Sequence, residues 1–215
     1  MVCDHSALQS GGARYVRETR ELRLVLVCDR CGAEQTELQR INYAPNARRA
    51  VGYLTEITAR ELDLRDSRVA KLGFAALVCG AGRDQINPVI LNKEGPLTEE
   101  EWAEVRRQPE FSASLLADAS FGEVRDWVLT HRERPDGTGY PRGLLGAEIT
   151  LEARILAVTD AYVAMTSDRP YRRTRDHREA CLELLRCAGT QFDAAVVHAF
   201  VRASVGRYRH LARAA

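Results

Sequence analysis

Two groups of residues in this sequence have the types and the spacing of working chemistry. The first lies near the start. Cys3 and His5 form a Cys-x-His pair, and Cys28 and Cys31 form a Cys-x-x-Cys knuckle followed directly by Gly32. Two thiolates from the knuckle and a Cys/His pair from the leading arm complete the donor set of a tetrahedral zinc ion. A closed set of that kind leaves no position for water, so the expected role is one structural zinc per chain and not a catalytic one. Two blander readings stay open. Cys3 and His5 can be frayed terminal residues with Cys28 and Cys31 as strand-end thiols, and a Cys-x-x-Cys can be a redox pair, although the βαβ context of that motif is missing. The second group is the stretch HRERPDGTGYPRGL, from His131 to Leu144. It is polar and rich in glycine and proline, as a loop should be, yet it packs a histidine, Glu133, Asp136 and Tyr140 into one tight frame.

The elements that must position these groups differ in kind. Leu22, Leu24 and Leu26 alternate with Arg23, Val25 and Val27, which predicts a strand running into Cys28, and QTELQRINY offers a return strand. The expected result is a small β arm over residues 1–44, too small to hold a core of its own without a metal. After Tyr43-Ala44-Pro45-Asn46 the pattern becomes helical. Val51, Leu54, Ile57 and Leu62 predict a helix over 47–62, and SRVAKLGFAALVC predicts a second over 67–79 whose nearly all-apolar end marks it as central and buried. Thr98 and Glu101 form a capping box for a helix over 98–107, and further helices are expected over 110–118, 122–130, 151–165, 176–188 and 193–205. A helical domain over 45–206 then ends in a basic tail, 207–215, expected to fray.

Composition narrows the function classes. The chain has 215 residues, 45% hydrophobic and 28% charged, as in an ordinary folded domain. Its 31 basic and 30 acidic residues give a net charge of +1, which offers no global field for nucleic acid or an anionic membrane. No apolar run approaches the roughly 20 residues of a membrane span, and MVCDHSALQS lacks the pattern of a secretory signal, so a cytoplasmic location is expected. Six cysteines in that setting read as thiols or metal ligands.

From about Ala47 to Ala203 the sequence resembles the HD-GYP family, a branch of the HD superfamily of metal-dependent phosphohydrolases. The resemblance rests on HRERPDGTGYPRGL, on LEARILAVTDAYVAMTSDRPYRR, and on the flanking ILNKEGPLTEEEW and GTQFDAAVVHAF. It implies a mainly α fold, an HD-GYP-like helical bundle preceded by the small β zinc-ribbon-like segment. It also implies a bacterial protein of cyclic di-GMP signalling. In the family, a di- or trinuclear centre of histidines and aspartates makes hydroxide from a bound water. Carried over residue by residue, that centre is depleted here. The family's His-Asp pair falls on Cys79 and Gly80, its lysine on Arg83, and a further histidine on Gln108. The second member of a His-His pair falls on Arg132, a later aspartate on Val163, and a first-helix ligand, by a loose alignment, on Ala47. His131 and Asp160 remain, with Cys79 as a conceivable replacement ligand. Arg132 would set a permanent cation where a metal should sit, and it is expected to pair with Asp160 or Glu133. His177, His198, Cys181 and Cys187 lie off the matched positions and read as surface or core residues.

Two features implied by the resemblance survive. Gly139, Tyr140 and Pro141 form the loop that in the family lies beside the substrate pocket and is implicated in contacts with partner signalling domains. Arg169 and Arg172, in DRPYRR, match basic residues that contact substrate phosphates, and equally suit a helix end that favours cations. The expectation is a non-catalytic signalling or scaffold protein with a structural zinc and no catalytic metal. It would bind a protein partner, with a cyclic dinucleotide as a second candidate ligand and a homodimer as a candidate assembly. The alternative is a cyclic di-GMP phosphodiesterase, or another metal-dependent phosphohydrolase, with a rearranged metal centre. A nucleic-acid role directed by the zinc arm is disfavoured by the charge balance.

Overall fold

The computed structural model describes residues 8–16, 21–28, 34–39, 45–93, 95–167 and 174–211, with side chains described within 49–204. Three strands come first: β1 (Leu8–Val16), β2 (Glu21–Cys28) and β3 (Glu34–Gln39), in an antiparallel sheet of order β1-β2-β3. β2 and β3 are the strand and return strand that the alternation predicts, in register from Leu22 opposite Gln39 to Val27 opposite Glu34. β1 is an addition to the expected hairpin. Its QSGG segment carries no alternation, and the register shifts between Ser10 and Ala13, where the two glycines sit.

The rest of the described chain is helical, as expected. The helices are α1 (Pro45–Glu61), α2 (Asp66–Val78), α3 (Pro88–Leu91), α4 (Glu99–Arg106), α5 (Gln108–Ser114), α6 (Gly122–Thr130), α7 (Leu151–Thr166), α8 (His177–Arg186) and α9 (Ala194–Leu211). The apolar half of α2 is the centre of the core. Val69, Leu72, Phe74, Ala75, Ala76 and Val78 are all buried, against Trp127 and Val128 of α6, Ile155 and Leu156 of α7, and Val197 and Phe200 of α9. The capping box on α4 forms as predicted: Thr98 accepts from the Glu101 amide while the Glu101 carboxylate accepts from the Thr98 amide. The expected boundary at 206 is corrected. α9 runs on to Leu211, because nothing in GRYRHL beyond its glycine breaks a helix, and cations in a last turn suit the helix dipole.

Polar ties fix how the helices meet. The hydroxyls of Thr55 on α1 and Thr159 on α7 lie 2.8 Å apart in the buried interior. Arg68 of α2 pairs with the buried carboxylate of Glu152 on α7 and lies 2.9 Å from Glu123 on α6, with its guanidinium over the Trp127 ring at 5.2 Å. One side chain therefore joins three helices, and each partner offsets the cost of enclosing the other's charge. Among the described residues, no helix is long and apolar enough to cross a membrane.

Candidate functional site

The expected metal corner is assembled where three elements end or pass: the C-terminus of α2, the C-terminus of α6, and the middle of α7. Cys79 is the C-cap of α2, and its thiol points back along the helix to donate to the Ala76 carbonyl at 3.3 Å. The chain then enters a 3-10 turn over Ala81–Gln85. That turn is held from α5. The Gln108 carboxamide and the Ser112 hydroxyl both donate to the Cys79 carbonyl, at 2.5 and 2.8 Å, and the Gly82 amide donates to the Ser112 hydroxyl at 2.9 Å. A Cβ on Gly82 would come within 2.3 Å of the Gln108 carbonyl oxygen, so only glycine permits this approach. Where the resemblance implies a metal-binding histidine, Gln108 instead serves as a strut between α5 and the end of α2.

His131 is the C-cap of α6 and is 1% exposed. Its Nδ1 donates to the Val128 carbonyl at 2.6 Å, while its Nε2 has no partner among the described residues. Burial, reinforced by the adjacent Arg132 charge, pushes its pKa down to about 4, so the ring is neutral at physiological pH. Arg132 follows and places one guanidinium nitrogen 2.7 Å from Asp160 Oδ2. Of the two carboxylates expected to compete for it, Asp160 is therefore the partner. Burial works against the Arg132 charge, but Asp160, with Tyr140 and Cys79 nearby, holds its pKa above the ordinary value. Arg132 Nε, in contrast to the paired nitrogen, is enclosed and without a partner.

Glu133 has a different task, which sequence reasoning missed. It is 3% exposed, and its two carboxylate oxygens accept from the Arg142 amide at 2.6 Å and the Leu144 amide at 3.0 Å. It thus clamps both sides of the Gly139-Tyr140-Pro141 loop, which contains a cis Tyr140–Pro141 peptide. A Cβ on Gly139 would lie 2.3 Å from the Arg134 amide nitrogen, so the loop folds back tightly onto the chain that precedes it. Asp136 closes the turn: Thr138 donates to it through both hydroxyl and amide, and Arg134 pairs with it at 3.0 Å. These bonds, the Thr138 hydroxyl foremost, bring the Asp136 pKa down to about 2. The Arg142 side chain reaches Asp126 at 2.9 Å, beside a groove of about 430 Å³ between α5 and α6. A buried acid a few residues before a Gly-Tyr-Pro turn was the available signal for the Glu133 clamp.

The other expected residues fall as follows. Cys28 is the last residue of β2, opposite Leu8 in the register, while Cys3, His5 and Cys31 lie outside the described residues. Arg169 and Arg172 also lie outside them. His198 is exposed, as a surface histidine should be. His177 hydrogen-bonds the Tyr162 hydroxyl at 2.9 Å, and burial lowers its pKa. Cys181 is buried, and burial raises the pKa of its thiol.

These donors do not fit a dinuclear divalent centre. Such a site needs a cluster of carboxylates and imidazoles with a bridging carboxylate, and Gly80 stands where the resemblance puts that bridge. Asp160 already neutralises a guanidinium, and among the described residues no group of three or more His, Cys, Asp or Glu is arranged to hold a metal.

Comparison with known proteins gives this corner a context. A sequence profile for the HD domain matches residues 25–196. A Pseudomonas aeruginosa protein named cyclic di-GMP phosphodiesterase PA4108 is 44% identical over 161 residues, covering 74% of this chain and 38% of that protein. A Thermotoga maritima cyclic di-GMP phosphodiesterase is 34% identical, covering 71% of this chain and 42% of its own length. A Vibrio cholerae protein named 3'3'-cGAMP-specific phosphodiesterase 3 is 37% identical over 57% of this chain and 27% of its own length. The chain thus spans about two fifths or less of the curated relatives it matches. Among solved structures, Bd1817, an HDG"Y"P protein from Bdellovibrio bacteriovorus, superposes with a TM-score of 0.58 at 20% identity, covering 72% of this chain and 50% of that one. A cyclic GMP-AMP specific phosphodiesterase of V. cholerae gives 0.59 at 18%, covering 78% and 45%. At those identities the structures speak for the fold.

Proposed function

This chain belongs to the HD domain family and carries an HD-GYP domain, and from that premise we propose that it is a non-hydrolytic HD-GYP signalling or scaffold module. The observation that carries the reading is the ion pair between Arg132 and Asp160 at 2.7 Å. A guanidinium stays protonated at any physiological pH, so it repels a divalent ion from the one carboxylate that matches a family ligand. It also supplies no Lewis-acidic site to ionise a water. The Gly139-Tyr140-Pro141 loop, clamped by Glu133, is the proposed contact surface for a protein partner such as another signalling domain. Arg169 and Arg172 are proposed to hold the phosphodiester of a cyclic dinucleotide, should one bind. The β arm is proposed to carry one structural zinc on Cys3, His5, Cys28 and Cys31.

The relatives favour a second reading. All those described above are named as phosphodiesterases of cyclic di-GMP or cyclic GMP-AMP, and by that likeness the chain would be a hydrolase with a rearranged metal centre. One experiment separates the two. The purified chain is incubated with cyclic di-GMP and with 3'3'-cGAMP, in Mn²⁺ and in Fe²⁺ under anaerobic conditions, and linear products are resolved by chromatography. The non-hydrolytic reading expects no product above the protein-free control, with or without measurable nucleotide binding by calorimetry. Metal-dependent turnover, lost in His131→Ala, would establish the hydrolase instead.

A further inference from the structure

Two enclosed polar atoms on consecutive residues lack a protein partner, and their hydrogen-bonding types are opposite. They are His131 Nε2 and Arg132 Nε. His131 Nδ1 lies 2.6 Å from the Val128 carbonyl oxygen. A carbonyl can only accept, so Nδ1 carries the ring proton and Nε2 is a lone-pair acceptor. Arg132 Nε can only donate. Leaving both unmade would cost about 1–3 kcal/mol for each. An anion would satisfy Nε–H but face the imidazole lone pair. A metal cation would satisfy Nε2 but face the guanidinium. A hydroxyl does both, accepting from Arg132 while donating to His131.

We propose that His131 Nε2 and Arg132 Nε form a seat for one hydroxylic oxygen, bridging acceptor and donor at the corner where the HD-GYP family holds its metals. Two sources share this chemistry, an internal water and a sugar hydroxyl of a bound nucleotide. Enclosure of both atoms suits water in the resting protein, since buried waters settle where two to four polar partners converge. The proposal rests on Arg132 being the resident cation of this corner. The seated oxygen is hydrogen-bonded to a guanidinium and not coordinated to a Lewis acid, so it stays a neutral water instead of becoming hydroxide.

The test uses the full chain with ¹⁵N-labelled histidine. The sequence has five histidines, and a His131→Gln sample assigns the ring signal. Long-range ¹H–¹⁵N correlation reads the tautomer, and water-selective ROE reads contact between solvent hydrogens and the ring. The expected result is the Nδ1–H tautomer with a water cross-peak to the ring Hε1. In Arg132→Lys, which keeps a cation beside Asp160 but removes Nε–H, that cross-peak should fall at least fivefold. Added cyclic di-GMP distinguishes the sources: an unchanged peak identifies solvent water, and its replacement by contacts from ribose hydrogens identifies a ligand hydroxyl. Both support the seat. A ring protonated on Nε2, no exchangeable contact, or a cross-peak indifferent to Arg132→Lys would overturn the seat alone. An Nε2 resonance displaced by added Zn²⁺ or Mn²⁺ in the unmodified chain would overturn both the seat and the non-hydrolytic reading.

Discussion

Replacing Arg132 with methionine should destabilise the domain by about 2 kcal/mol, the net of a larger gross loss. At an effective dielectric of about 20, two charges at about 4 Å attract by about 4 kcal/mol, and removing one member of a fully buried pair costs about 3–5 kcal/mol. The pair here is only part-enclosed, with 37% of the Arg132 side chain and 18% of Asp160 exposed, so water recovers part of that loss. Asp160→Asn, which leaves Arg132 without its partner, should cost a similar amount. The double variant should cost clearly less than the sum, giving a coupling of about 1–2 kcal/mol. Urea unfolding followed by tryptophan fluorescence is the assay. Trp127 is 1% exposed on α6, four residues before His131, and reports loss of this packing directly. For a domain of this size the single variants should lower Tm by roughly 4–8 °C. Coupling within 0.3 kcal/mol of zero would show that Arg132 decorates the surface, and the account of it as the resident cation would fail.

Three further outcomes follow from the same geometry. Glu133→Ala removes a buried carboxylate that accepts from two loop amides, so it should cost about 3 kcal/mol and speed proteolytic cleavage within 134–144, read by limited trypsin digestion. Gly82→Ala sets a Cβ against the Gln108 carbonyl at 2.3 Å and the Ser112 amide at 2.5 Å, backbone atoms that cannot swing aside; it should cost about 2–4 kcal/mol by urea titration. The His131 ring is neutral in the folded state down to about pH 4 but takes a proton near pH 6.5 when unfolded. Its depressed pKa makes stability fall as pH drops from about 6.5 to 4, by up to about 3 kcal/mol at the lower end. His131→Gln should remove that portion of the pH slope, and an unchanged slope would contradict it.

Much of the helical frame was legible because burial writes a period into the sequence. The apolar end of α2 needed no long-range information to be placed at the centre, and the Thr98–Glu101 box was readable because both partners are local. The loop from His131 to Leu144 announced itself through its glycines and prolines. What escaped were features decided between distant segments. Gln108 and Ser112 reach the Cys79 carbonyl across about thirty residues of chain, and no periodicity records that contact. The choice of Arg132 between Asp160 and Glu133 was undecidable from spacing, since it turns on Glu133 being already committed to the Arg142 and Leu144 amides. β1 was missed because QSGG lacks alternation, and the four-residue α3 because it is fixed by the Asn87 cap more than by an apolar face.

The most direct test of the central claim is elemental analysis of the purified chain together with its Cys28→Ser/Cys31→Ser variant. The account predicts about one zinc per chain, lost in the double variant, with no iron or manganese in either sample. Two or more ions per chain, or iron or manganese persisting after the double replacement, would contradict it and place a working metal centre at His131 and Asp160 after all.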